Sequence, residues 1–353
     1  MNNVKDKISF LKNKKVLITG NTGFKGSWLT YVVSNVTQKI YGISLKENIE
    51  NTMFKKSKIF KLVKKQFFFD ISNFNKFKKL INQIKPDYIF HLAAQSLVYK
   101  SYEFPLKTWN SNLIGTLNLL EILKYYKKSK NIIITSDKCY KNLELRRGYT
   151  EDDILAGEDP YSATKSCAEI AINSYIKSFY NNSNLIVSCR AGNVIGGGDF
   201  SENRLIPDIV KHYFSNNKIS IRNINSTRPW QHVLEPIFAY LLLAKNINKI
   251  NINHQSFNFG PDLHNSKRVF SIIQEIKKRW NIKIKKSNLK FKETKLLSLN
   301  CNKAKKILKW KPVLNFQQTV KLTIDWYDKF YSKQHEMDSL MRSQINYFVS
   351  KIK

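Results

Sequence analysis

The sequence predicts an α/β chain built on a doubly wound parallel sheet, followed by a smaller C-terminal lobe. Short, wholly apolar runs alternate with longer helical stretches, the first run opens into a glycine-rich loop, and the pattern changes beyond residue 190. Residues 15–19 (Lys-Val-Leu-Ile-Thr) read as a buried parallel strand, and Gly20, Gly23 and Gly26 then lead into a helix. Further strands are expected at 39–44, at 66–70, at 88–92 after the Pro86-Asp87 break, at 131–135 and at 185–190. Helical stretches fall between them, notably 109–126 and 161–180. From about Ala191, Gly196-Gly197-Gly198, Pro207, Arg228-Pro229-Trp230 and Gly260-Pro261 punctuate shorter elements. Residues 1–190 are therefore expected to form the main domain and 191–335 the lobe, with a helix over 233–246 returning to the sheet within a segment near 230–260. Residues 336–353 are expected to be a helical tail, to which the sequence assigns no role.

Composition narrows the class. With 353 residues and 42% hydrophobic content the chain can bury a large core. Residues 1–15 lack an apolar leader and no apolar run approaches bilayer length, which predicts a cytoplasmic protein with no membrane partner. Cys139, Cys167, Cys189 and Cys301 occur singly, as expected of reduced, mostly buried thiols, and no metal site is expected. The formal charge of +34 would suit a nucleic-acid partner, but the lysines are dispersed along the chain and form no stripe. No nucleic-acid partner is therefore expected, although the field would help gather a negatively charged substrate.

The chemistry is concentrated in three places. Gly20, Gly23 and Gly26 stand where backbone can approach a pyrophosphate at a helix N-terminus. The acidic residue that would hold a ribose diol about 20 positions on is replaced by Ser44 and Lys46, so the residues alone leave NAD and NADP both open. Asp70 either accepts from an adenine amine or caps its strand. Tyr161 and Lys165 are spaced i,i+4 on a helix opened by Asp159-Pro160, which puts a phenol and an ammonium on one face. Lys165 is expected to lower the Tyr161 pKa, making the phenol a base for hydride chemistry, with Ser136 placed to bond a substrate hydroxyl. Asp137 and Lys138 add an acid and an amine that plain hydride transfer does not need. Arg204 and Arg228 carry guanidinium forks suited to a diphosphate, while His91 and His232 read as structural histidines.

These residues sit in motifs that resemble the extended short-chain dehydrogenase/reductases, a Rossmann-type family, and within it the CDP-glucose 4,6-dehydratases. The resemblance runs from about Lys14 to Tyr327. It is carried by Thr19-Gly20-Asn21-Thr22-Gly23-Phe24-Lys25-Gly26-Ser27-Trp28, His91-Leu92-Ala93-Ala94-Gln95, Thr135-Ser136-Asp137-Lys138-Cys139-Tyr140 and Tyr161-Ser162-Ala163-Thr164-Lys165, and by the segments 190–199 and 228–233. The Asp-Lys pair discriminates, because sibling dehydratases for dTDP- or GDP-sugars usually carry glutamate where Lys138 stands. The resemblance implies conversion of CDP-D-glucose to CDP-4-dehydro-6-deoxy-D-glucose and water, an early step toward deoxysugars of surface polysaccharides. It implies Tyr161 as base at O4, Asp137 as acid at O6 and an at least partly neutral Lys138 as base at C5, with Ser136 and Lys165 completing the catalytic set.

The same resemblance implies NAD as cofactor, held by Gly20, Thr22, Gly23, Phe24, Lys25 and Gly26. Ser44, Asp70, Ile71, Leu92, Ala93, Ala94 and Gln95 would complete its site with Tyr161 and Lys165. It implies a nucleotide-sugar substrate held by Gln95, Asn193, Arg204, Leu205, Arg228, Trp230 and His232, so that 191–335 is a substrate-binding lobe. It further implies a homodimer, or a tetramer, paired through helices 109–126 and 161–180. The rival readings are a nucleotide-sugar 4-epimerase, which has no use for Asp137 and Lys138, and a basic RNA-binding protein with a silent site.

Overall fold

The computed structural model describes the chain except residues 1, 48, 181–184, 222, 250–254, 263–265, 287–295 and 353. Seven parallel strands form its central sheet: β1 (Val16–Thr19), β2 (Ile40–Ser44), β3 (Lys65–Phe68), β4 (Tyr88–His91), β5 (Lys130–Ile134), β6 (Leu185–Ala191) and the strand Ser256–Phe259. Their order is β3-β2-β1-β4-β5-β6 with Ser256–Phe259 outermost, so the winding reverses between β1 and β4. At such a switch point the strand ends part and leave a crevice. The register sets Thr19 opposite Ile43 of β2 and His91 of β4, which brings the chain segments leaving these strands to one edge.

The wholly apolar runs became the interior strands: β1 and β4 are buried at every position, while edge strand β3 is half-exposed. β3 stops at Phe68, two residues short of the sequence expectation, because Asp70 turns the chain by accepting the Ser72 N–H through Oδ1 at 2.9 Å. The stretch 109–126 is not one helix. A helix Pro105–Trp109, a wide π-type turn Asn110–Ile114 and a helix Gly115–Tyr125 follow one another. Likewise the helix Pro160–Tyr175 ends in a wide turn, Ile176–Tyr180. Ser256–Phe259 was not foreseen as a strand, although it lies in the segment read as returning to the sheet.

The return begins with the helix Leu234–Asn246, apolar on all sides and buried at nearly every position, as a helix packed between layers must be. Beyond β6 the chain forms small paired strands: Val194–Ile195 beside Gln231–His232, Thr227–Arg228 beside Lys267–Arg268, and Ile219–Ile221 beside Ile284–Lys286. The tail is helical, over Met337–Lys351, and it belongs to the core. Met341, Ile345 and Phe348 are buried, the Phe348 ring lies 5.0 Å from that of Phe238, and Tyr31 donates to Asp338 Oδ1 at 2.7 Å. No described helix is long and apolar enough to cross a membrane.

Candidate active site

A cleft of about 1210 Å³ opens at the β1/β4 switch point, and residues from both the sheet and the lobe line it. That exceeds the roughly 300–1,000 Å³ of a pocket for one small ligand. Its floor is the glycine loop. Gly20 has φ +71°, and a Cβ there would lie 2.8 Å from the Ala93 backbone nitrogen, while one on Gly26 would lie 2.1 Å from the Gly20 carbonyl oxygen. Only glycine lets β1, β4 and the following helix pack this closely. Gly23 caps the helix Phe24–Val33, whose first turn, Phe24 to Gly26, faces the cleft with the positive end of the helix dipole. Thr22, Leu92, Ala93, Ala94, Asp70 and Ile71 share this wall.

At the β2 end the missing carboxylate is replaced by an amide lattice. Asn21 Nδ2 donates to Gln66 Oε1 at 2.7 Å, and Gln66 Nε2 donates to Ser44 Oγ at 3.1 Å. The lattice needs Gly42 beneath it, since a Cβ there would stand 2.2 Å from Asn21 Nδ2. Ser44 faces the cleft, but Lys46 does not line it. Glu47 does, ion-paired to Lys107 at 3.1 Å.

The helix Pro160–Tyr175 starts as its sequence requires. Asp159 Oδ1 accepts the Ser162 N–H at 2.9 Å and Pro160 occupies the first turn. Tyr161 and Lys165 are both buried on the cleft side. Burial, then the charge of Lys25, pulls the Lys165 ammonium down to about 8. Lys25 is itself lowered to about 8, by burial and then by Arg204. The expected lowering of the Tyr161 phenol by Lys165 is not found in the chain by itself. Burial pushes the phenol up to about 12 against the pull of its hydrogen bond with Ser136, because excluding water costs the phenolate more than that bond returns.

Ser136 also donates to Asp137 Oδ1 at 3.0 Å, which links the phenol and the carboxyl through one hydroxyl. Asp137 is 4% exposed, and its other oxygen is buried with no hydrogen-bond partner among the described residues. Burial raises its carboxyl above the ordinary range despite Lys138, Ser136, Lys25 and Arg228. Gly192 leaves room for it, since a Cβ there would come within 2.9 Å of Oδ2. Lys138 follows on the cleft wall, partly exposed.

The chain beyond β6 contributes Asn193, Arg204, Leu205, Arg228 and Trp230. Arg204 pairs with Asp199 at 3.0 Å and reaches Ser96 in the loop after β4 at 3.2 Å, so it spans the two halves. Two assignments implied by the resemblance change. His232 is structural, as its residue type and context read, and does not line the cleft: it is fully buried, edge-on to Trp28 with its Nδ1 accepting the Leu234 N–H at 3.3 Å, because its strand turns the ring into the core. Gln95 lines the cleft, but its amide folds onto its own loop, bonding Leu97 and Thr108. His91 is structural as read, held between Thr19 and Thr116 and kept neutral by burial, then by Lys165, with its pKa near 3.

Sequence reasoning missed Glu169 and Arg190, a buried ion pair at 2.9 Å directly behind the site. Burial would raise the Glu169 carboxyl, but Arg190 and hydrogen bonds from Thr135 and Ser188 hold it below its ordinary value. The available signal was spacing, because Glu169 lies one turn beyond Lys165 on the buried face.

Comparison with known proteins agrees with this architecture. The family model described as GDP-mannose 4,6 dehydratase matches residues 17–323. A CDP-glucose 4,6-dehydratase of Salmonella typhimurium is 35% identical over 97% of this chain and 98% of its own length. A UDP-glucose 4-epimerase of Mycoplasma genitalium is 27% identical over 90% of this chain and 97% of its own. Among solved structures, a dTDP-glucose 4,6-dehydratase of Bacillus anthracis in complex with NAD superposes with a TM-score of 0.75 at 21% identity, covering 92% of this chain and 99% of that one. The last likeness bears on the fold alone, whereas the Salmonella relative covers nearly the whole sequence. The chain belongs to the GDP-mannose 4,6 dehydratase family of extended short-chain dehydrogenase/reductases.

Proposed function

We propose that the protein is an NAD-dependent CDP-glucose 4,6-dehydratase. The observation that carries this reading is the buried Asp137 carboxyl, raised by desolvation and joined through Ser136 to Tyr161 in the same cleft. A 4-epimerase needs the phenol but no such acid.

The residues present fit the cofactor: a glycine cradle that any Cβ would obstruct, a helix N-terminus for the pyrophosphate, and Ser44, Asp70, Ala93 and Ala94 along the wall. Bound there, NAD supplies a reversible hydride acceptor, and net redox over the cycle is zero. The chain's own residues move the protons. Tyr161 takes the O4 proton, with Ser136 bonding the same oxygen. Once C4 is a ketone, Lys138 removes the C5 proton and Asp137 protonates the departing O6 hydroxyl, which leaves as water. Lys25, Arg204 and Arg228 place cationic charge in the cleft for the diphosphate, beside Asn193, Leu205 and Trp230. The subunits pair through the faces of Gly115–Tyr125 and Pro160–Tyr175, where Ile170 and, in the flanking turns, Ile114 and Phe179 are exposed.

Incubating the purified protein with NAD and CDP-, dTDP-, GDP- or UDP-glucose, with products followed by mass, tests the reading. Loss of one water from CDP-glucose is expected. A product of unchanged mass and inverted C4 would make the protein an epimerase, and salt-sensitive RNA binding without turnover would favour the silent-site alternative.

A further inference from the structure

We infer that Glu169 and Arg190 are positioning residues for the elimination step, gripping the chain on both sides of Ser136-Asp137-Lys138 and fixing it to the helix that carries Tyr161 and Lys165. The inference rests on the dehydratase reading above. Before the tripeptide, Thr135 donates its hydroxyl to Glu169 Oε1. After it, Tyr140 accepts from Arg190 Nη1 at 2.7 Å, and the guanidinium carbon lies 4.9 Å from the centre of its ring. Glu169 Oε2 joins the two grips, accepting from Arg190 Nη2 at 2.9 Å and from Ser188 at 2.9 Å. Ser166, on the same helix, donates to the Cys139 carbonyl at 2.8 Å, and the Tyr140 hydroxyl donates to Asn258 at 2.8 Å.

Stability does not require this arrangement, because well-packed apolar residues of similar volume often replace a buried ion pair without loss. What it provides is direction. Tyr161 and Lys165 are placed by the helix itself. Asp137 and Lys138 sit instead on a single short turn, Asp137–Cys139, whose flanking residues are held by the pair. Losing the clamp should therefore displace the acid and the C5 base while sparing the phenol. A displacement of about 1 Å can cost about 100-fold in rate.

Tyr140→Phe removes the hydroxyl that Arg190 and Asn258 bind but keeps the ring over the guanidinium. Thr135→Val removes the other grip. Glu169→Gln is the direct variant and strands a buried Arg190, so the two milder changes keep the test decisive if it fails to fold. With CDP-glucose in a single turnover, Tyr140→Phe and Thr135→Val should reduce the cofactor within about threefold of the wild-type rate. Release of water should slow about 10- to 100-fold, with KM little changed. Equal loss in both steps, or in neither, would overturn the clamp.

A second arm needs neither substrate nor cofactor. Amide exchange at Lys138 and Cys139, whose N–H groups bond back to Ser136, should quicken about tenfold in Tyr140→Phe, and unchanged exchange would overturn the inference. Wild-type protein that released no water from CDP-glucose would refute the dehydratase reading instead, and the exchange measurement would still decide the clamp.

Discussion

Replacing Asp137 by Asn removes one proton and almost nothing else. The amide keeps the shape, its carbonyl oxygen can still accept from Ser136 Oγ, now at 3.0 Å from Asp137 Oδ1, and its nitrogen occupies the place of an oxygen that has no partner among the described residues. Folding and substrate binding should therefore survive. A positioned general acid contributes about 10²–10⁴-fold, or roughly 3–5 kcal/mol of barrier, and kcat should fall by that factor with KM within about twofold. In a single turnover with CDP-glucose and NAD, reduced nicotinamide should build up in the near-ultraviolet while mass analysis shows water still attached. The pH profile supplies a sign. Because burial raises the Asp137 carboxyl, wild type keeps the required proton to higher pH and loses elimination as pH rises through that raised value. This alkaline limb should be absent in the variant. An Asp137→Asn enzyme that released water at the wild-type rate would refute the assignment of the acid.

Tyr161→Phe should abolish turnover, by about 10²–10⁴-fold or more, while calorimetry finds NAD binding nearly unchanged; retained activity would remove Tyr161 as the base. NADP should bind more weakly than NAD, because Lys46 does not line the cleft and Lys107, which does, is already paired with Glu47; tighter NADP binding in calorimetry would reverse that conclusion. Glu235 is buried with Oε1 accepting the Val313 and Leu314 N–H groups at 2.8 and 2.7 Å, and burial raises its carboxyl from 4.5 to about 8. The folded state binds that proton more tightly than the unfolded state. Its contribution is therefore full below about 4.5 and is lost as pH rises toward about 8, a slope worth a few kcal/mol. Glu235→Gln, which retains the acceptor, should flatten the fall in melting temperature over this window, and an unchanged slope would assign it to other groups.

Legibility followed the physical scale of each signal. Val16-Leu17-Ile18 and Ile132-Ile133-Ile134 announce buried parallel strands because both their faces are covered, so apolar runs need no alternation. Ser256-Phe257-Asn258-Phe259 hid its place because it carries a buried polar residue, Asn258, whose side chain is satisfied by the distant Tyr140, Tyr149 and Asn300. Within the site, Tyr161 and Lys165 were readable from local helix geometry. Glu169 could have been read from its place one turn beyond Lys165, but its pairing with Arg190 could not, since the two meet across a helix–sheet contact that no spacing rule encodes. His232 was misplaced for the related reason that a two-residue strand offers no pattern to show which way its ring turns. The Tyr161 phenol shows the remaining gap: sequence spacing identifies its neighbours, whereas its pKa depends on how completely the folded chain excludes water.

That exclusion has opposite consequences for the two acids that Ser136 joins. Desolvation raises both the Tyr161 phenol and the Asp137 carboxyl, yet the reaction needs the first to lose a proton and the second to keep one. Burial alone thus prepares the acid and opposes the base. Lys25 and Lys165, each lowered to about 8 by burial, are still largely cationic near pH 7, yet the phenol stays raised to about 12. A further positive charge in the cleft would favour the phenolate, and in the proposed reaction the nicotinamide of the bound cofactor would supply it. The acid needs no such help in direction, because burial already favours the protonated form of Asp137. The order of the proposed reaction, oxidation first and water loss second, is set by the substrate, because only a ketone at C4 makes the C5 proton acidic enough to remove.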